Sequence, residues 1–216
     1  MESYKNGLIL PKDANGHDFV EIAGIKWATM NVGAKSITDA GLYFQWGDIQ
    51  GYTKDEIEKE HKKQFALNWS DYKFSTDGDN IFTKYNSTDG YKELTLDDDA
   101  VHAAWGGSWR LPTIEEFEGI GNAVANGTVV KQLASKNDVY GILLAEGDKE
   151  LFLPACGLAY DGAVHYSDVY GYYWLSSLST GNVSDACYLD FNSDDVDVYD
   201  DYRFYGQCVR GVLADK

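Results

Sequence analysis

Tyrosine and aspartate set close together, with lysine and glutamate absent, make a surface suited to holding a ligand rather than transforming one. The segment Tyr160 to Tyr205 has that composition: nine of the 16 tyrosines, nine aspartates, and no lysine or glutamate. An ordinary solvated face uses Lys and Glu freely, whereas tyrosine offers a large, rather rigid contact with a hydroxyl at its tip. Strand alternation over Ala186 to Phe191 sends Ala186, Tyr188 and Asp190 to one face and Cys187, Leu189 and Phe191 to the other. Further on, Val196 and Val198 face inward while Asp197 and Tyr199 face out. The candidate ligand-binding residues are Tyr166, Asp168, Tyr170, Tyr172, Asp185, Tyr188, Asp190, Asp197, Tyr199, Asp201, Tyr202 and Tyr205. The alternative for the same pattern is plain strand aromatics and turn aspartates.

Reactive chemistry has less support. His17, His61, His102 and His165 are scattered, and no two have metal-ligand spacing. Cys156, Cys187 and Cys208 form neither a disulfide framework nor a close-spaced zinc signature; Cys187 and Cys208 either pair, if their strands adjoin, or stay reduced. No catalytic residue and no cofactor is expected. Structural calcium is the one ion with candidate ligands, because Asp194, Asp195 and Asp197 offer hard oxygens close together, followed by Asp200 and Asp201. The net charge of −17 opposes a phosphate backbone or an anionic membrane, so nucleic acid is excluded as a partner and a protein or glycan is expected. No apolar run has the length of a membrane span, and Met1 to Gly16 lacks the order of a signal peptide.

The elements that must position these residues are short. Phe19 to Trp27 alternates on both sides of Ala23-Gly24, which predicts a hairpin with Val20, Ile22, Ile25 and Trp27 toward a core. Gly41 to Asp48 reads as a second aromatic strand or loop edge, and Lys54 to Gln64 has helical composition. Leu67 to Leu94 is a polar loop pinned by Trp69, Tyr72, Phe74, Phe82 and Tyr85, followed by a short helix from Asp97 to Ala104 that Gly106-Gly107 ends. Thr113 caps a helix running to about Ala125, with Glu116 answering three residues on. Arg110 beside it is a structural ion-pair or hydrogen-bond donor, and Trp105 and Trp109 belong to the core. Strands are then expected at Gly141–Ala145, Glu150–Pro154, Tyr173–Ser177, Ala186–Asn192, Val196–Tyr199 and Gln207–Val212. Helices in the middle and strands after them predict one α+β domain over residues 19–213, preceded by an extension over 1–18 and carrying a surface insertion at 51–66.

Five stretches in this order, Trp27 to Gly33 (WATMNVG), Tyr43 to Asp48 (YFQWGD), Ala103 to Thr113 (AAWGGSWRLPT), Tyr173 to Ser177 (YWLSS) and Val209 to Val212 (VRGV), closely resemble the Fibrobacter succinogenes major paralogous domain. That family is a branch of the C-type-lectin-like fold found in Bacteroidetes surface proteins and associated phages. The resemblance implies short antiparallel sheets with one or two main helices, a frame that includes Trp27, Trp174 and Arg210, and a place outside the cytoplasm, on a bacterial surface or a phage virion. Some relatives are variable proteins of diversity-generating retroelements, whose ligand-binding face lies near the C-terminus, and residues 160–210 look like such a face. The fold also resembles that of formylglycine-generating enzymes, which use two close cysteines; Cys187 and Cys208 are far apart in sequence and lack that family's flanking residues. The expected function is therefore non-catalytic recognition, with a structural role in a surface or virion assembly as the alternative.

Overall fold

A computed structural model describes residues 10–59, 67–76, 81–193 and 196–215. The expected first hairpin joins β1 (Phe19–Ile22) to β2 (Ile25–Ala28), with Val20 opposite Trp27 and Ile22 opposite Ile25. Its two turn residues, Ala23 and Gly24, both have positive φ, as the twist of a two-residue hairpin requires. Alanine is strained there, and the turn is pinned from outside: the Ala23 amide donates to Glu146 Oε2 at 2.8 Å.

The C-terminal end of the domain completes this sheet. β14 (Val212–Leu213) lies between β2 and β5 (Trp109–Arg110), giving the order β1-β2-β14-β5. Arg210, fully buried just before β14, donates to Asn31 Oδ1 and to the carbonyls of Ala28 and Phe152. The expected continuous strand from Gln207 to Val212 is absent. Gly206, Gln207 and Cys208 instead bridge to Ala159, Phe44 and Tyr173 in turn, before Val212 reaches Trp27. Successive residues with different partners thread the segment between elements, and Arg210 must turn its guanidinium inward.

Two meanders supply most of the remaining pairing. β6 (Val130–Lys136), β7 (Val139–Glu146) and β8 (Lys149–Pro154) form one. β11 (Gly171–Leu178), β12 (Asp185–Phe191) and β13 (Val196–Tyr202) form the other. Two small hairpins, β3 (Tyr43–Phe44) with β4 (Gly51–Tyr52) and β9 (Leu158–Tyr160) with β10 (Ala163–His165), complete the set. β11 is buried along its whole length because its alternating side chains enter two different cores. Tyr173 and Leu175 join an aliphatic core with Ile142, Leu151 and Leu189; Tyr172, Trp174 and Leu178 join an aromatic core with Phe44, Trp46 and Tyr85.

The helices hold the ends of these sheets. α1 (Lys54–Lys59) buries Ile57 in the aliphatic core, while residues 60–66 of the expected insertion lie outside the described residues. The short helix expected from Asp97 is divided into a 3₁₀ turn at Leu96–Asp98 and α2 (Ala100–Trp105). The cause is Asp99, whose carboxylate caps α2 through the Val101 and His102 amides and also takes the Leu111 amide. α3 (Ile114–Ala125) begins with the full capping box of Thr113 and Glu116, and Glu116 also receives both Nη1 and Nη2 of Arg110 at 2.8 and 2.7 Å. Trp109 is fully buried; Trp105, at the exposed end of α2, is only half-buried and packs its ring on Trp109 and His17. The result is a mixed α+β fold of several small antiparallel sheets and a few short helices, not closed into a barrel.

Candidate ligand-binding face

Register across β11, β12 and β13 sets out the face row by row. Tyr172, Asp190 and Asp197 stand opposite one another, Trp174, Tyr188 and Tyr199 form the next row, and Ala186 pairs with Asp201 beyond it. All of these share one face. Tyr199 is therefore flanked along its own strand by Asp197 and Asp201. Asp190 and Asp197 are like charges placed directly across a strand pair, an arrangement that costs stability. Asp185, Asp200 and Tyr202 fall on the opposite face by register, with Asp200 taking a hydrogen bond from Ser179 Oγ.

From Tyr199 a chain of aromatic contacts crosses this part of the molecule. Ring centroids lie 6.4 Å apart from Tyr199 to Tyr188, then 5.7 Å to Tyr172, 5.7 Å to Tyr170 and 5.7 Å to Tyr166. The chain continues through His165 to Tyr160, stacked at 4.0 Å, then to Tyr205, Tyr202 and Trp69. These spacings are those of favourable ring pairs. Tyr166, Tyr199 and Tyr202 are 52%, 47% and 43% exposed.

Tyr188 departs from expectation. It is on the predicted face, yet only 7% exposed, because Tyr172, Trp174 and Tyr199 surround its ring and the aromatic core covers that part of the sheet. Tyr172 is buried in the same way. They form the floor beneath the exposed rings rather than tips of their own. Burial, together with the charges of Asp201 and Asp190, pushes the Tyr188 hydroxyl far above its ordinary value. Tyr205 is raised by burial and by Asp201, while Asp201 itself is raised by burial, against the pull of its hydrogen bond from the Tyr202 amide. Among the described residues, Asp185, Asp197 and Asp201 form no ion pair.

The loop that presents Tyr166 and Tyr170 is held in a costly shape. Tyr166 and Asp168 both have φ near +60°, and a bulky residue rarely adopts that conformation. The loop is fixed by the Asp168 amide on the Ala155 carbonyl and by Gly157, whose amide donates to the Tyr170 carbonyl. A side chain at Gly157 would meet the His165 carbonyl at 2.2 Å, so only glycine lets the loop lie against the sheet.

Trp69, Phe204, Tyr160 and His165 join the aromatic chain without having been expected there. The Asp161-Gly162 turn and the apolar residues around it were the available signal for the last two. Trp69 comes from a distant loop with no periodicity to announce its partner. Arg203 was also missed. It is 0% exposed, stacks at 3.7 Å over Phe82, lies 5.4 and 5.6 Å from the Tyr72 and Trp46 rings, and donates Nη1 to the Tyr85 carbonyl.

Among the described residues no group of three His, Cys, Asp or Glu side chains is placed to hold a metal ion; Asp194 and Asp195, two of the expected calcium ligands, lie outside those residues. All three cysteines are buried and free. The neighbour of Cys208 is Cys156, not Cys187: burial opposes charge on Cys156, but hydrogen bonds from Cys208 and Tyr173 and the nearby Arg210 outweigh it, whereas Cys208 is held as the thiol. Cys187, on β12 opposite Asp200, has its thiol pushed up to about 11 by burial and by that carboxylate. No helix of the described residues is long and apolar enough to cross a membrane. Comparison with family models, with curated proteins and with solved structures finds no match.

Proposed function

We propose that this chain is a non-catalytic recognition domain of C-type-lectin-like form, displayed on a bacterial surface or a virion, that binds a protein or glycan through the tyrosine and aspartate face of β11, β12 and β13. The observation that carries this reading is the continuous aromatic chain from Tyr199 to Trp69, in which half-exposed Tyr199 packs on buried Tyr188 and half-exposed Tyr166 reaches buried Tyr172 through Tyr170. Open tyrosines on a buried aromatic floor are rigid, large in contact area and cheap to order, the properties of binding anchors. The C-type-lectin-like reading is supported by the joining of the first hairpin to the last strand and by the capped helix that follows the Ala103 to Thr113 stretch.

The test is a binding screen against immobilised glycans and bacterial surface proteins. Each hit is repeated with Tyr199→Ala combined with Tyr166→Ala, whose folding is checked by circular dichroism. The expected loss of affinity is about 2 kcal/mol or more. A folded double variant with full affinity removes this face as the binding site. A second reading, a structural interaction domain, draws on β6, an edge strand with Val130 and Leu133 exposed. Loss of self-association or assembly on Leu133→Lys, with ligand binding intact, would favour it.

A further inference from the structure

Each meander ends in a seven-residue strand with an open side. β6 is the outer strand of one and β13 of the other, and among the described residues nothing pairs with the outer edge of either. An unpaired edge is a template for another chain, the more so when apolar side chains remain on it. Val130 and Leu133 on β6 are 56% and 39% exposed, and Tyr199 and Tyr202 are exposed on β13.

In both sheets a buried row of side chains runs out uncovered onto the edge strand. Leu153 and Ile142 lead to Leu133, and Trp174 and Tyr188 lead to Tyr199. The next row ends at Lys131 in the first sheet, after Leu151 and Leu144, and at Asp201 in the second, after Ala186. Two such edges set antiparallel with Leu133 opposite Tyr199 join the apolar rows into one. The same register places Lys131 opposite Asp201 and Ser135 opposite Asp197, and it uses both strands along their whole length. A shift by two residues in either direction sets Leu133 against an aspartate instead. Apolar pairs and opposite charges directly across two strands are stabilising, and like charges are not.

Charge also selects the partner. The protein carries −17, so copies of it repel one another, yet residues 127–136 hold two lysines and no acid. β6 is therefore an edge at which an acidic strand is attracted, and β13 is such a strand. On β13 the amides of Val198 and Tyr202 donate to the carboxylates of Asp197 and Asp201 at 2.7 and 2.8 Å. The carbonyls of an incoming strand can take over these amides and release Asp201 to Lys131.

We propose that β6 of one copy pairs antiparallel with β13 of a second copy, joining two three-stranded sheets into one of six strands. This rests on the reading of β6 as an assembly surface and names its occupant. Because the two edges differ, the contact is head-to-tail, and each added copy leaves one edge of each kind free.

The test is sedimentation velocity and light scattering of the intact chain over a range of concentrations. The expected result is a series of oligomers that lengthens with concentration and does not stop at a dimer. Lys131→Glu and Asp201→Lys should each weaken association about tenfold, since either sets like charges across the pair. The double variant restores the pair in reversed order and should recover most of the loss, with folding of all three checked by circular dichroism. A folded double variant as dissociated as the single ones would overturn the pairing. A closed dimer indifferent to Asp201→Lys would mean that β6 pairs with itself, which removes β13 as the occupant and keeps β6 as an assembly surface. Association unchanged by Leu133→Lys, or a protein that stays monomeric at millimolar concentration, removes both.

Discussion

Arg203 and Tyr199 belong to the same stretch of chain and stand in opposite surroundings. Around Arg203, Phe82, Tyr72 and Tyr85 close a box from the loop that follows Leu67, and the cation inside touches rings and one carbonyl. Tyr199 instead stays half-exposed, flanked along its own strand by the carboxylates of Asp197 and Asp201. Both regions are aromatic, but one carries its cation within the fold and the other carries acidic groups at an open surface. What separates them is the path of the loop, not the residue types, and that path is anchored at Asp98. Lys73 and Lys84 each reach its carboxylate at 2.6 Å, and the Tyr85 hydroxyl donates to it at 2.8 Å.

The comparison is broken most directly from inside the box. Arg203→Ala should cost about 4 kcal/mol by emptying it, whereas Arg203→Met, which fills similar space without a buried charge, should recover most of that in urea unfolding. If both variants are equally unstable, the cation and not the volume holds the box. Tyr188→Ala should cost about 3 kcal/mol, because its ring is part of the floor.

Removing the loop anchor is the next step down. Asp98→Asn should cost about 2 kcal/mol through weakened charge-assisted hydrogen bonds. Burial raises the Asp98 carboxyl, but hydrogen bonds from Lys73, Lys84 and Tyr85 outweigh it and hold the group below its ordinary value of 3.8. A carboxyl depressed in the folded state contributes stability that is complete above the unfolded value and is lost as pH falls through the folded one. The difference between wild type and Asp98→Asn should therefore be constant near neutrality and shrink below about pH 4, measured by urea unfolding across that range.

Smaller effects test the scaffold and the surface. Thr113→Ala should cost about 1 kcal/mol by removing the cap of α3. Tyr199→Ala should change stability by no more than about 0.5 kcal/mol while abolishing ring shifts on ligand addition. A loss at Tyr199 as large as that at Tyr188 would mean that the open face is part of the core and would erase the contrast with the box.

The parts of this architecture that were legible in the sequence are those written in neighbouring residues. The Ala23-Gly24 hairpin follows from alternation around a two-residue turn, and the start of α3 follows from Thr113 and Glu116 three positions apart. β6 was missed because its side chains are mostly exposed, so no apolar alternation marks it. Alternation also assigned Tyr188 and Tyr199 to one face correctly, but it tells which side chains share a face and not what covers it. The aromatic core arriving from distant segments buries Tyr188, and only the fold brings them together. The same holds for Arg203, whose ring partners come from residues far away along the chain, and for Cys156, whose contact with Cys208 no spacing announces.

The insertion of β14 between β2 and β5 has a consequence for how the chain comes to be folded. β6 through β8 and β11 through β13 pair with their sequence neighbours, so both meanders can form as soon as they are synthesised. The first hairpin cannot finish its sheet in that way. One edge of β2 stays open until Val212 arrives opposite Trp27, and during that interval it is a bare strand edge liable to pair with another chain. The strands that carry Tyr188 and Tyr199 thus pair through local contacts, while the sheet of the first hairpin closes last, so that a chain halted before Val212 has its second meander in place and the edge of β2 still bare.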